Sequence, residues 1–162
     1  MKVLANRHIG IIVKNFDRML DFYVGLGLEL RRRDIEKGQF VEKLLNTDNI
    51  ILETAKLILQ DESVPIQYRF NLELMKIVNI EPMGSEKQIN IGDFDFKQRN
   101  IGILDIAFTV DDIYSVIKYI TDNGGDLISE PMKSPEGFPA FHSYARDPEG
   151  NVLHIAQNIK AS

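Results

Sequence analysis

The sequence predicts an α+β fold built from two tandem βαβββ modules, and three observations carry that prediction. The stretch HIGIIVKNFDRMLDFYVGLGLEL (8–30) lies over DIAFTVDDIYSVIKYITDNGGDL (105–127), with Ile9 on Ile106, Val13 on Val110, Gly27 on Gly124 and Leu30 on Leu127. Within each copy the apolar spacing changes from that of a strand to that of a helix and stops at a glycine. Each copy is then followed by further apolar runs of strand length. The turn-rich, polar segment NIEPMGSEKQINIGDFDFKQRN (79–100) separates the halves, giving modules at 1–78 and 101–162 joined by a linker at 79–100 within one compact domain.

The elements follow in order. Phe16, Met19, Leu20 and Tyr23 form one i, i+3, i+4, i+7 stripe, and Ile113, Val116, Ile117 and Ile120 form its counterpart, so each marks an amphipathic helix. Asn15 and Asp112 stand where N-caps are expected, since a short side-chain oxygen can accept from the unpaired amides of the first turn. Gly27 and Gly124 are the C-terminal stops. Strands are expected over 28–35, 49–60 and 66–78 in the first half, with a short helix at 38–45 (GQFVEKLL), and over 126–130, 140–146 and 151–158 in the second, with the turn RDPEGN before the last.

Composition narrows the function classes. Lys plus Arg total 19 against 24 Asp plus Glu, a net charge of −5 that gives no reason to expect nucleic-acid binding; Arg31, Arg32 and Arg33 read as a solvated strand edge. There is no cysteine, which excludes disulfides, thiolate metal ligands and cysteine nucleophiles. No apolar run approaches the roughly 18 residues of a membrane span, and the N-terminus lacks the pattern of a signal peptide, so no membrane partner is expected and a cytoplasmic protein is the default.

The repeat isolates four polar residues that interrupt apolar strands. His8 and Asp105 occupy equivalent places on the first strand of each module. Laying NLEL (71–74) over VLHI (152–155) likewise puts Glu73 opposite His154. Strand alternation gives His8 the face of Gly10 and Ile12, and Asp105 that of Ala107 and Thr109, so a small residue lies two positions along in each case. Two modules packed with pseudo-twofold symmetry would bring the four together inside a curved, cleft-bearing sheet with the helices outside. Two imidazoles and two carboxylates suit a divalent ion such as Zn²⁺, Ni²⁺, Co²⁺, Mn²⁺ or Fe²⁺, and an ion would offset the cost of burying the carboxylates.

The segments HIGIIVKNFDRMLDFYVGLGLEL, LELMKI, DIAFTVDDI and SYARDPEGNVLHIAQ resemble the vicinal oxygen chelate superfamily, which includes glyoxalase I, methylmalonyl-CoA epimerase, extradiol dioxygenases, and the fosfomycin and bleomycin resistance proteins. The stretch GQFVEKLLNTDNIILETAKLIL resembles the glyoxalase- and epimerase-like branch. In metal-dependent members of that branch the four positions read His, Glu, His, Glu or a close variant. Here they read His8, Glu73, Asp105, His154, either a metal site that has decayed or one in which imidazole and carboxylate have exchanged places. The exchange is favoured, because decay would sooner leave apolar or small residues.

The resemblance implies a lyase or isomerase that abstracts a proton next to the carbonyl of a small 2-oxo, hemithioacetal or acyl-thioester substrate. The metal acts as Lewis acid and Glu73 is the first choice of base. His142 and Tyr144, facing the same way on one strand, are candidates for acid–base work or substrate contact. Arg69, Arg99 and Arg146 are candidates for an acidic substrate group or for ordinary ion pairs, and SPEGFPAF (134–141) has the composition of a loop at a pocket mouth. Two other readings stand beside this one. A mononuclear-iron dioxygenase would draw on His8, His154 and one carboxylate, and a non-catalytic binder of the bleomycin-resistance type would hold a small molecule without turnover. The relatives also imply a homodimer.

Overall fold

The computed structural model describes residues 7–65, 69–79, 103–134 and 139–159. The chain divides into two compact units, Met1–Gly84 and Ser85–Ser162. Much of the expected linker (80–100, including Arg99) and part of the expected loop (135–138) lie outside the described residues.

In the first unit β1 (Ile9–Ile12) leads into α1 (Phe16–Gly25), followed by β2 (Glu29–Lys37), α2 (Gln39–Leu45), β3 (Ile51–Ile58) and β4 (Asn71–Ile77). The four strands form one sheet in the order β1-β4-β3-β2, with β1 parallel to β4 and the other pairs antiparallel. The helix begins where the sequence places it: the Asn15 side chain accepts from the Arg18 amide, satisfying one of the orphan donors of the first turn. It ends at Gly27, whose φ of 111° lies in the left-handed region that a side chain would oppose. Phe16, Met19, Leu20 and Tyr23 are all buried, and α1 packs on β3 and β4. The pairs Ala55↔Leu74 and Leu57↔Leu72 lie on one face of the sheet and are fully shielded. Lys56↔Glu73 and Thr54↔Met75 therefore point to the other face, where α2 closes one end through Val41 against Ile50, Leu52 and Ile77.

In the second unit β5 (Ile106–Thr109), α3 (Ile113–Asp122), β6 (Asp126–Leu127), β7 (Met132–Lys133), β8 (Ala140–Arg146) and β9 (Val152–Asn158) make a sheet in the order β5-β9-β8-β6, with β7 also pairing with β8. Asp112 caps α3 by accepting from the Tyr114 and Ser115 amides, and Gly124 follows its end with φ 89°. Ile113 and Ile120 are buried while Val116 and Ile117 are half-buried, so α3 buries less of its own apolar stripe than α1 does. The turn before β9 is organised by the buried Asp147. Its carboxylate accepts from the Glu149 and Asn151 amides and from the Asn151 side chain.

The fold is α+β with βαβββ order in each unit, as expected, with one local difference. The strand expected over 126–130 is cut to Asp126–Leu127, and a second short strand, Met132–Lys133, follows beyond it. The Ile128 and Ser129 amides both donate to the Tyr144 carbonyl, so the chain bulges, and Pro131 has no amide to continue the ladder. Pairing resumes only at Met132↔His142.

Candidate functional site

Each unit gathers polar side chains on the sheet face turned away from its first helix, α1 or α3, and the same register positions supply them. In the first unit, Gly10 of β1 pairs with Glu73 of β4, and Lys56 of β3 lies opposite Glu73 on the other side. His8, just before β1, brings its Nε2 to 3.3 Å from Glu73 Oε2, and Lys56 Nζ stands 3.4 Å from Glu73 Oε1. Glu73 is thus a buried carboxylate, its side chain 7% exposed, with both oxygens engaged. That resolves the expected cost of placing it inside a strand. The small Gly10 leaves no open space on this face: a Cβ there would fall 2.6 Å from the Met75 methyl carbon.

In the second unit, Ala107 of β5 pairs with His154 of β9, and Tyr144 of β8 lies opposite His154. The Tyr144 and His154 rings stack at 4.8 Å between centroids, and His142 stacks on the same imidazole at 5.2 Å. His142 Nδ1 and His154 Nε2 are 3.0 Å apart, one nitrogen donating to the other. Asp105 is half-buried immediately before β5, and the Tyr144 hydroxyl donates to its carboxylate. Burial raises the Tyr144 phenol above its ordinary range, and the Asp105 charge and hydrogen bond push it the same way, so the hydroxyl keeps its proton. Burial also lowers the His154 imidazole below its ordinary range; Asp105 opposes that shift and His142 adds to it. His154 is therefore neutral near pH 7.

The residues expected from the sequence fall into two groups, His8 with Glu73, and Asp105 with His142, Tyr144 and His154. Lys56 belongs with the first and was not among them. Arg146, Arg69 and Arg33 each have protein partners. Arg146 is buried beside Asp126 (3.7 Å), Arg69 donates to the Val64 carbonyl, and Arg33 pairs with Glu53 and Asp17 over the Phe16 ring. Imidazole nitrogens and carboxylate oxygens are the donors that borderline divalent ions take, so the donor chemistry fits a metal. Among the described residues no set of three or more His, Asp or Glu is drawn together as a metal-ligand group. The charge of Glu73 is already met by Lys56.

A family model matches residues 7–155, nearly the whole chain. The chain belongs to the glyoxalase/bleomycin resistance protein/dioxygenase superfamily. Among solved structures, a glyoxalase family protein from Bacillus cereus is similar at a TM-score of 0.79 and 21% identity, over 99% of this chain and 97% of that one. A glyoxalase family protein from Enterococcus faecalis is similar at a TM-score of 0.57 and 20% identity, over 93% and 95%. Maize glyoxalase I matches at a TM-score of 0.61 and 21% identity over 97% of this chain, which spans 46% of the maize enzyme. No curated protein matches. At these identities the structural likenesses establish the fold, and the family spans lyase, oxygenase and sequestering members. No helix among the described residues is long and apolar enough to cross a membrane.

Proposed function

We propose that this superfamily member is a glyoxalase-type lyase or isomerase that moves a proton next to the carbonyl of a small 2-oxo, hemithioacetal or acyl-thioester substrate, using a divalent ion with His8, Glu73, Asp105 and His154 as ligands. The observation that carries the reading is the pairing at equivalent register positions. His8 lies 3.3 Å from Glu73, and Asp105 acts electrostatically on His154, so an imidazole accompanies a carboxylate in both units. Decay of the site would not preserve that complementarity twice.

When bound, the ion would polarise the carbonyl oxygen of the substrate. The chain's own groups do the rest. Glu73 accepts the proton from the carbon next to the carbonyl, with Lys56 and His8 standing at its two oxygens. Tyr144 keeps its phenolic proton, donates it in a hydrogen bond to the Asp105 carboxylate and so positions that carboxylate. His142 holds the His154 ring by stacking and by their shared hydrogen bond, and can pass a proton to the substrate. The protein is expected to act as a cytoplasmic homodimer.

The test is metal content by mass spectrometry on untagged protein, beside an Asp105→Ala/His154→Ala double variant, followed by deuterium wash-in from D₂O next to the carbonyl of candidate 2-oxo substrates. Near-stoichiometric metal that disappears in the double variant, with wash-in that Glu73→Gln abolishes, is the expected result. Absence of metal after incubation with Ni²⁺, Zn²⁺, Mn²⁺ and Fe²⁺ would sink the reading and leave the protein a small-molecule binder.

A further inference from the structure

We propose that Lys56 is a resident counter-charge for Glu73 that an incoming divalent cation must displace, so that this lysine sets how tightly the chain takes metal. The inference rests on the metal reading above. Lys56 Nζ lies 3.4 Å from Glu73 Oε1 while His8 Nε2 lies 3.3 Å from Oε2. The contact is built by the backbone. Lys56 and Glu73 are directly opposed across the β3–β4 ladder, on the same face, so the ammonium reaches the carboxylate across one strand spacing. The Lys56 side chain is 30% exposed and that of Glu73 only 7%, so a partly solvated lysine meets a shielded carboxylate.

Such an anion needs a cation or hydrogen-bond donors to be tolerated, and the lysine meets that need in the protein without metal. A divalent ion at Glu73 would stand within a few ångströms of the ammonium, where like charges in a poorly solvated setting repel strongly. Binding therefore requires the lysine to swing toward solvent, and its partly exposed position permits this. The matching place in the second unit holds Tyr144, a neutral donor to Asp105 that imposes no such repulsion.

The test uses the full chain, stripped with a chelator and titrated calorimetrically with Ni²⁺, Zn²⁺ and Mn²⁺ as wild type, Lys56→Met and Lys56→Arg, with circular dichroism to establish that each is folded. Lys56→Met is expected to bind at least about tenfold more tightly than wild type, with Lys56→Arg close to wild type because the charge is kept. The metal-induced rise in melting temperature should likewise be larger in Lys56→Met. Metal binding by Lys56→Met alone would support this inference and overturn the metal reading for the wild-type chain. Equal affinities in wild type and Lys56→Met would overturn the inference and leave the metal reading standing. Absence of binding in all three proteins would overturn both.

Discussion

The two units answer the same problem, a carboxylate beside a sheet, with different chemistry. In the first, Glu73 is buried and balanced by charge, with a lysine on one oxygen and an imidazole on the other. In the second, Asp105 is half-buried beside a stack of three rings, and its partner is the neutral Tyr144 hydroxyl. The backbone frames are equivalent: a parallel pair of first and last strands, then an antiparallel neighbour that places one side chain directly opposite the last-strand residue. On the helix side what differs is how much of each helix stripe is buried, all of it in α1 and only Ile113 and Ile120 in α3. The repeated frame thus fixes where functional groups stand, while the side chains set on it differ, charge in the first unit and stacked rings in the second.

The sharpest way to break this comparison is to cut the two helix stripes. Phe16→Ala, in the buried stripe of α1, should cost about 3–5 kcal/mol, whereas Ile117→Ala, at a half-buried position, should cost about half as much or less; chemical denaturation measures both. Equal costs would mean that burial does not distinguish the units. Next in size, Lys56→Met should destabilise the metal-free protein by about 1–2 kcal/mol, since it leaves a shielded carboxylate with His8 as its remaining named partner. Tyr144→Phe keeps the stack and loses one hydrogen bond, so about 0.5–1.5 kcal/mol is expected from the same measurement. A larger loss than in Lys56→Met would mean that the Tyr144 hydroxyl holds its unit more firmly than the Lys56 charge holds the other.

The smallest effect concerns the caps. Asp112 is held below the usual carboxylate range, chiefly by the Ser115 hydroxyl, with the Ser115 and Tyr114 amides adding to it. A depressed pKa in the folded state contributes stability above the unfolded value, and that contribution is lost as pH falls through the folded one. Asp112→Ala should therefore lower the denaturation midpoint at neutral pH, and the gap to wild type should close in acid below the ordinary carboxylate range. Asn15→Ala, which removes an uncharged cap, should show a gap that does not close in this way.

Much of the fold was legible because the repeat and the period changes are local. Asn15, Asp112, Gly27 and Gly124 punctuate both helices where the sequence puts them. The shortening of the strand expected at 126–130 was not legible, because a bulge depends on which carbonyl two successive amides find. Alternation and the aligned strand ends single out His8, Glu73, Asp105 and His154 and put His142 and Tyr144 on one side of their strand. The stacking of His142 and Tyr144 on His154 depends instead on the β8–β9 register, which the sequence leaves unassigned. Lys56 was missed for a physical reason. A lysine on a strand usually faces water, and its equivalence to Tyr144 emerges only from hairpin register, since the connection from β3 to β4 is longer than that from β8 to β9. Met75 filling the space beside Gly10 is likewise a matter of packing, which spacing alone does not encode.

The Asp147 turn has a consequence for how such a chain can change over time. Its buried carboxylate ties the Glu149 and Asn151 amides and the Asn151 side chain into one short connection. A residue gained or lost there would slide β9 against β8 by one position and turn His154 over to the helix side of the sheet. The longer connection between Ile58 and Asn71 is tied locally by the exposed Asp61, which accepts from the Ser63 amide and hydroxyl, and by Arg69 donating to the Val64 carbonyl; being longer and more exposed, it should accept length variation first. Drift in chain length is thereby steered away from the hairpin that carries the aromatic stack and toward the one whose lysine reaches its partner on a flexible stem.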